Sequence, residues 1–349
     1  MNHKYHVIGV MSGTSLDGID LVKCIVFKNG KWNYKLEKYK TINYNKYWKN
    51  ILSNAHNESS KNLTNINEEY GEFIANEILN FMKKENIQCD YISSHGHTIF
   101  HEPEKGKTLQ IGCGKTISKI TNITTICNFR QLDISLGGQG APLVPIGDIL
   151  FFKEYELCLN LGGFANITIK DKKKVSAFDI CPVNYVLNFL SKVKNKEFDN
   201  NGEMANEGLL RYDLLEELNN QNFYQKDPPK SLSREWVEKY IFPILKKYNY
   251  SIEDKIRTFC EHISIQISKY IKNDKILITG GGAHNKFLIK RLRNISKKEL
   301  NLKEAKLIDY KEAIVFCLIG VLAIRSEINC LSSVTGANKD SCCGDIYIK

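Results

Sequence analysis

Residues 9–20, reading GVMSGTSLDGID, gather side chains that could handle a phosphate. Gly13 and Gly18 bracket Thr14, Ser15, Leu16 and Asp17, so the turn offers backbone N–H groups and two hydroxyls with little bulk to keep an anion away. A carboxylate beside such a cradle would repel an anion bound alone. Asp17 and Asp20 therefore make sense when a divalent cation accompanies the phosphate, as in Mg-nucleotide. A plain tight turn, for which Gly and Asp are the commonest residues, is the competing reading. Gly162-Gly163-Phe164-Ala165-Asn166 repeats the arrangement in the second half of the chain, and Gly280-Gly281-Gly282 forms a third glycine turn where a nucleoside could approach the backbone closely. Each loop alone is ambiguous; the three together point to a nucleotide.

Other polar groups are weighed in the same way. Arg130 follows an apolar run at 123–127 and precedes the loop Gly137-Gly138-Gln139-Gly140-Ala141-Pro142. Its rigid fork is placed to hold a carboxylate or phosphate, with a surface ion pair as the plain alternative. His95, His97 and His101 invite a metal, but they lack an acidic partner in register and read better as a polar loop lining a site. Gly114-Lys115-Thr116 imitates the end of a P-loop, yet the glycine that motif requires is replaced by Leu109. The chain has 11 cysteines and no C-x-x-C pair, which fits a reduced, intracellular protein. Its start shows no apolar export segment.

The elements that would position these groups are legible as patterns. Apolar runs at 5–10 and 19–27 flank the first glycine turn as a hairpin, and Asn29-Gly30 starts a third antiparallel strand. From Thr64, Ile66, Tyr70, Phe73, Ile74, Ile78, Phe81 and Met82 recur at helical spacing, predicting a long amphipathic helix over one sheet face. Further strands are expected at 91–93, 157–161, 167–169, 175–180 and 276–278. The apolar run 313–324 is too short for a membrane span and reads as a core helix opened by Lys311 and Glu312. A length of 349 residues predicts two domains, placed at 1–150 and 151–349. The repeated hairpin argues that they are copies with a nucleotide between them. A net charge of +10 spread over scattered lysines describes a solvated surface suited to an anionic small substrate, with no stretch built for nucleic acid.

The motifs GVMSGTSLDGID, SHGHTIFH, NFRQLDISLGGQGAPLVP, NLGGFANIT, AFDICPVN, PPKSLSREW, TGGGAHN and VTGA together resemble those of the anhydro-N-acetylmuramic acid kinase family, within the acetate kinase, sugar kinase, heat-shock chaperone and actin superfamily. The resemblance runs over residues 6–346. It implies an α/β fold of two ribonuclease-H-like, actin-like ATPase domains with a nucleotide cleft between them. It further implies ATP and Mg²⁺ as cofactors, a cytoplasmic homodimer without nucleic-acid or membrane partners, and an amino-sugar substrate. The implied reaction opens 1,6-anhydro-N-acetylmuramic acid with water and phosphorylates O6, in peptidoglycan recycling.

Under this resemblance Asp179 matches the catalytic aspartate, the base for water at the anomeric carbon, and the O6 released becomes the acceptor of the γ-phosphoryl. Arg130 would hold the lactyl carboxylate or steady the anhydro oxygens, with His97 and Glu312 in the sugar pocket. Gly13 to Gly18 with Asp20, then Gly162, Gly163 and Asn166, then Gly280, Gly281 and Gly282 would bind the nucleotide. Asp17 and Asp20 would hold Mg²⁺ through water. A strand-end Asp179 could instead cap the helix that starts near Pro182, and Glu312 could serve only the dipole of a helix beginning beside it. Two departures stand out: Asn128 replaces an aspartate common in the family, which removes a candidate orienting partner of Arg130, and residues 180–184 carry less glycine than usual. The alternatives are a related sugar or carboxylate kinase, or a non-catalytic ATP-binding switch.

Overall fold

The computed structural model describes residues 3–349 apart from 14, 15, 172–174, 229, 273 and 301. Thr14 and Ser15 of the first glycine turn therefore lie outside the described residues. The strands, in chain order, are β1 Lys4–Ser12, β2 Gly18–Asn29, β3 Lys31–Asn43, β4 Tyr91–Ser94, β5 His97–Glu102, β6 Lys107–Ile111, β7 Thr124–Cys127, β8 Leu157–Leu161, β9 Phe164–Lys170, β10 Val175–Pro182, β11 Ile276–Thr279 and β12 Asp345–Tyr347. The chain divides into two compact units, Met1–Lys153 with Tyr310–Lys349, and Glu154–Asp309.

In the first unit β1, β2 and β3 form an antiparallel meander, β4 and β7 run parallel to β1, and β12 closes the edge on β7, giving the order β12-β7-β4-β1-β2-β3. The hairpin β5–β6 stands apart from this sheet. Helix Ser60–Glu85 starts where the Ser59 hydroxyl accepts the Asn62 N–H, and it lays Tyr70, Ile74, Ile78 and Phe81 against Ile8, Val10, Ile19 and Leu21. Helix Ala305–Ile324 supplies the apolar residues for the other face. A Cβ added to Gly9 would lie 2.3 Å from the Ala313 carbonyl oxygen, and the Ser93 hydroxyl donates to the Phe316 carbonyl at 2.6 Å. With both faces covered, β1 reads as a near-continuous apolar run rather than an alternating one.

These contacts correct the expected division. The boundary at residue 150 assigned everything after it to the second domain, yet residues 310–349 build the first. The reason is sheet completion: β12 pairs with β7, and the helix packs on the face of β1 at Gly9. The helix also begins at Ala305, ahead of the expected Lys311, so Glu312 sits inside it and not in its first turn.

The second unit repeats the plan in shorter form. Strands β8, β9 and β10 are an antiparallel meander and β11 runs parallel to β8, giving β10-β9-β8-β11, the same sense as β3-β2-β1-β4. Its core joins Leu159, Leu161 and Ile167 to Ile256, Phe259, Ile263 and Ile267 of helix Ile252–Ser268. The β8–β9 turn is only Gly162 and Gly163, so Asn166, expected within the turn, lies inside β9. The fold is α/β, and each unit carries the meander-plus-parallel-strand order of a ribonuclease-H-like domain. No helix among the described residues is long and apolar enough to cross a membrane.

Candidate functional site

In the second unit register places four polar residues in one row. Thr279 of β11 pairs with Asn160 of β8, Asn160 with Asn166 of β9, and Asn166 with Asp179 of β10. Residues directly paired across neighbouring strands share a face, so the row spans the sheet on one side. The β9–β10 register shifts between Asp179 and Cys181, a bulge that interrupts regular pairing beside the carboxylate. Asp179 Oδ2 accepts the Leu232 N–H at 2.8 Å, and the Asp179 N–H donates to the Lys230 carbonyl at 3.0 Å. Burial pushes its pKa up to about 6, against the lowering pull of the Leu232 N–H.

Asp179 is therefore no helix cap. The following helix is Asn184–Lys192, which has Val183 at its N-cap and no side-chain capping bond. Its first N–H groups are met by backbone: Val183 and Tyr185 donate to the Gly163 carbonyl and Asn184 to the Gly162 carbonyl. Cys181 is fully buried and burial raises its thiol pKa, which suits packing and not nucleophilic chemistry.

The glycines of this unit separate into two kinds. A Cβ on Gly280 would meet Asn160 Oδ1 at 2.4 Å, and Gly280 has φ +83°; a Cβ on Gly282 would meet Leu161 at 2.9 Å. The fold itself requires both. At Gly162, Gly163 and Gly281 nothing comes nearer than 3.5 Å, so the packing leaves a side chain's worth of space at each. These two turns lie side by side, since Gly280 and Gly282 both press on Leu161, next to Gly162.

In the first unit the described part of the hairpin tip is strained: Leu16 has φ +61°, a region that branched residues rarely adopt. Gly18 is required by the fold, because a Cβ there would lie 2.1 Å from the Ile42 carbonyl oxygen. Asp17 is exposed and its carbonyl accepts the Tyr44 N–H at 3.2 Å. Asp20 Oδ1 accepts the Thr41 hydroxyl at 2.6 Å, and Thr41 is 3.0 Å from the Tyr310 hydroxyl. Beneath the tip, Ser12 Oγ bonds Tyr44 OH at 2.7 Å, His97 Nδ1 at 2.9 Å and Tyr70 OH at 3.1 Å, and the two tyrosine hydroxyls bond each other. His97 is thus a buried member of a hydroxyl network.

Arg130 is organised by His95 and Gly140. Its Nε and Nη2 donate to His95 Nε2 at 3.1 and 2.7 Å, and Nη1 donates to the Gly140 carbonyl at 2.6 Å. The His95 Nδ1–H donates to the Gly96 carbonyl at 2.8 Å, which leaves Nε2 as the bare acceptor. Burial and then the Arg130 charge hold the His95 pKa well below its usual value, so the imidazole is neutral. Burial also brings the Arg130 pKa down to about 10, still charged at neutral pH, with Glu312 opposing the drop. Burial raises the Glu312 pKa against the pull of Lys311 and Arg130.

Asn128, at φ +56°, donates from Nδ2 to Asp345 Oδ2 at 2.8 Å. The Asn128 amide thus ties β7 to β12, where an aspartate would oppose Asp345. The concern that Arg130 loses an orienting partner does not hold, because His95 and Gly140 do the orienting. Sequence reasoning missed Ser12, Tyr44, Tyr70, Asn160, Thr279 and the specific role of His95. Several share a signal that was available: a polar residue at the end of a buried strand, directly before a glycine turn.

The profile of the family described as "Anhydro-N-acetylmuramic acid kinase" matches residues 5–349. The anhydro-N-acetylmuramic acid kinase of Bacillus thuringiensis (strain Al Hakam) is 31% identical over 381 aligned residues, covering 99% of this chain and 98% of its own. That of Francisella tularensis subsp. novicida (strain U112) is 33% identical over 378, covering 99% of each. Among solved structures, component A of the Acidaminococcus fermentans (R)-2-hydroxyglutaryl-CoA dehydratase superposes with a TM-score of 0.48 at 11% identity, over 90% of this chain and 96% of that one.

Proposed function

Because the chain belongs to the anhydro-N-acetylmuramic acid kinase family, and so is an ATP-dependent sugar kinase of peptidoglycan recycling, we propose that Asp179 is the base that opens its substrate. Water attacks the anomeric carbon, Asp179 takes the water proton, the C1–O6 bond breaks, and O6 accepts the γ-phosphoryl as ADP leaves. One oxygen is leaving group and then nucleophile, so no second base is required for a sugar hydroxyl. The observation that carries this reading is the carboxylate itself: it sits beside the bulge of β10 in register with Asn166, with a pKa near 6 that allows it to take up and release a proton near neutral pH.

Arg130 holds the lactyl carboxylate. Three of its five N–H groups point to His95 and Gly140, and the remaining two are the donors that would take the carboxylate. Glu312 and His97 border the sugar on this reading. Gly162, Gly163 and Gly281 supply the space into which nucleotide phosphate and nucleoside fit, Asn166 lines that face, and Gly280 and Gly282 shape the turn. The hairpin tip from Gly13 to Asp20 cradles the terminal phosphates.

The carboxylates of the tip suit Mg²⁺ only in an outer role. Among the described residues no group of three His, Cys, Asp or Glu could hold a metal, and Mg²⁺ characteristically keeps several waters. Asp20, steadied by Thr41, and Asp17 would hold the hydrated ion, which supplies charge neutralisation on the phosphates. The same reading makes the enzyme a cytoplasmic homodimer, checked by light scattering.

The test is incubation with Mg-ATP, 1,6-anhydro-N-acetylmuramic acid and ¹⁸O-water. The expected product is a 6-phosphate carrying one label at the anomeric hydroxyl, formed with one ADP. An unlabelled phosphorylated sugar, or labelled sugar without phosphate, would reject the coupled reaction.

A further inference from the structure

Asp133 lies in the short helix Gln131–Ser135, is 0% exposed, and has no place in the reaction described above. Its carboxylate is hydrogen-bonded on both oxygens and has no basic side chain within ion-pair distance among the described residues. Oδ2 accepts the Gly140 N–H at 2.8 Å, and Oδ1 accepts the Thr335 hydroxyl at 2.8 Å and the Cys330 thiol at 3.2 Å. Its own carbonyl accepts the Gly138 N–H at 2.9 Å. A Cβ on Gly138 would lie 2.2 Å from Oδ2, so the loop is moulded closely around this one carboxylate. Gly140, held by its N–H, presents its carbonyl to Arg130 Nη1.

We propose that Asp133 is a positioning residue for substrate selection: by clamping Gly140 from one side and Thr335 and Cys330 from the other, it fixes the acceptor that aims the Arg130 fork at the substrate carboxylate. The inference rests on the reading of Arg130 as the holder of the lactyl group. A buried carboxylate is expensive unless its oxygens are satisfied, and here the bonds that satisfy it lock a loop built on left-handed Gly137 and Gly140. The residues from the C-terminal segment, Cys330 and Thr335, thereby act on the sugar pocket without touching the sugar.

The experiment compares kcat/KM for 1,6-anhydro-N-acetylmuramic acid with that for 1,6-anhydro-N-acetylglucosamine, the same bicycle without the lactyl carboxylate. Wild type, R130K, D133A, D133N and T335V are measured, with KM for ATP and the Tm of each. D133A is expected to lose about tenfold of the preference for the lactyl sugar, chiefly through KM, with KM for ATP unchanged. D133N, whose amide oxygen can keep the Gly140 N–H, restores the preference to within about threefold of wild type, and T335V loses about threefold. A merely structural role would lower Tm without altering the ratio between the two sugars. Undiminished preference in folded D133A alongside its loss in R130K overturns the inference; should D133A fail to fold, T335V with full preference does the same. If R130K itself keeps the preference, the assignment of Arg130 falls, and this inference with it.

Discussion

An aspartate whose pKa is raised to about 6 leaves two marks on a pH titration, and they run in opposite directions. As a base Asp179 must be ionised, so kcat/KM for the anhydro-sugar is expected to rise along an acid limb centred near pH 6 and to level off above it. As a buried carboxyl it favours the protonated folded state. The stability it confers is fully present below the unfolded value of 3.8 and is lost as pH rises through about 6. At pH 7 the wild type therefore carries a penalty of about 3 kcal/mol. D179N should abolish turnover, keep the Leu232 bond, and raise Tm at pH 7 but not at pH 4. Calorimetry at the two pH values checks this, and a variant that loses stability at pH 7 would show that Asp179 is structural.

At the scale of elements, the glycines make the sharpest predictions, because packing assigns them different roles. G281A should fold with unchanged Tm and raise KM for ATP about tenfold, since only Asn184 stands near the added Cβ, at 3.5 Å. G282A, whose Cβ would press on Leu161 at 2.9 and 3.0 Å, should destabilise the protein by about 2 kcal/mol, whatever its effect on ATP. Denaturant melts and ATP titrations of the two variants separate the roles. G9A should be worse still: its Cβ would meet backbone of helix Ala305–Ile324, which cannot rotate aside, and a loss of about 3 kcal/mol or more is expected. That outcome would tie the helix to β1 as firmly as sheet pairing ties β12 to β7.

For the whole molecule, the discontinuous first unit predicts an asymmetry between fragments. Residues 154–309 contain their own four-stranded sheet and core, and should melt cooperatively as an isolated fragment. Residues 1–153 alone lack the helix that covers the second face of β1 and the edge strand β12, and should fold only when 310–349 is supplied. Circular dichroism and calorimetry of the fragments decide it. Cooperative melting of 1–153 alone would mean that the returning segment is dispensable to the unit.

Local pattern carried much of this protein. The hairpins, the helix Ser60–Glu85 and the glycine turns were legible because alternation, helical spacing and turn chemistry are properties of neighbouring residues. The ordered motifs pointed to the family, and Arg130 and Asp179 were candidates before any fold was built. What neighbours could not reveal was pairing between distant segments. That the last forty or so residues complete the first unit, that Asn128 serves Asp345, and that His95 and Gly140 aim Arg130 all depend on contacts between residues far apart in the chain. So do the row from Thr279 to Asp179 and the clamp on Asp133. A side chain's type limits the bonds it can make, but only the folded chain brings the partner within reach and removes the water that would otherwise take its place.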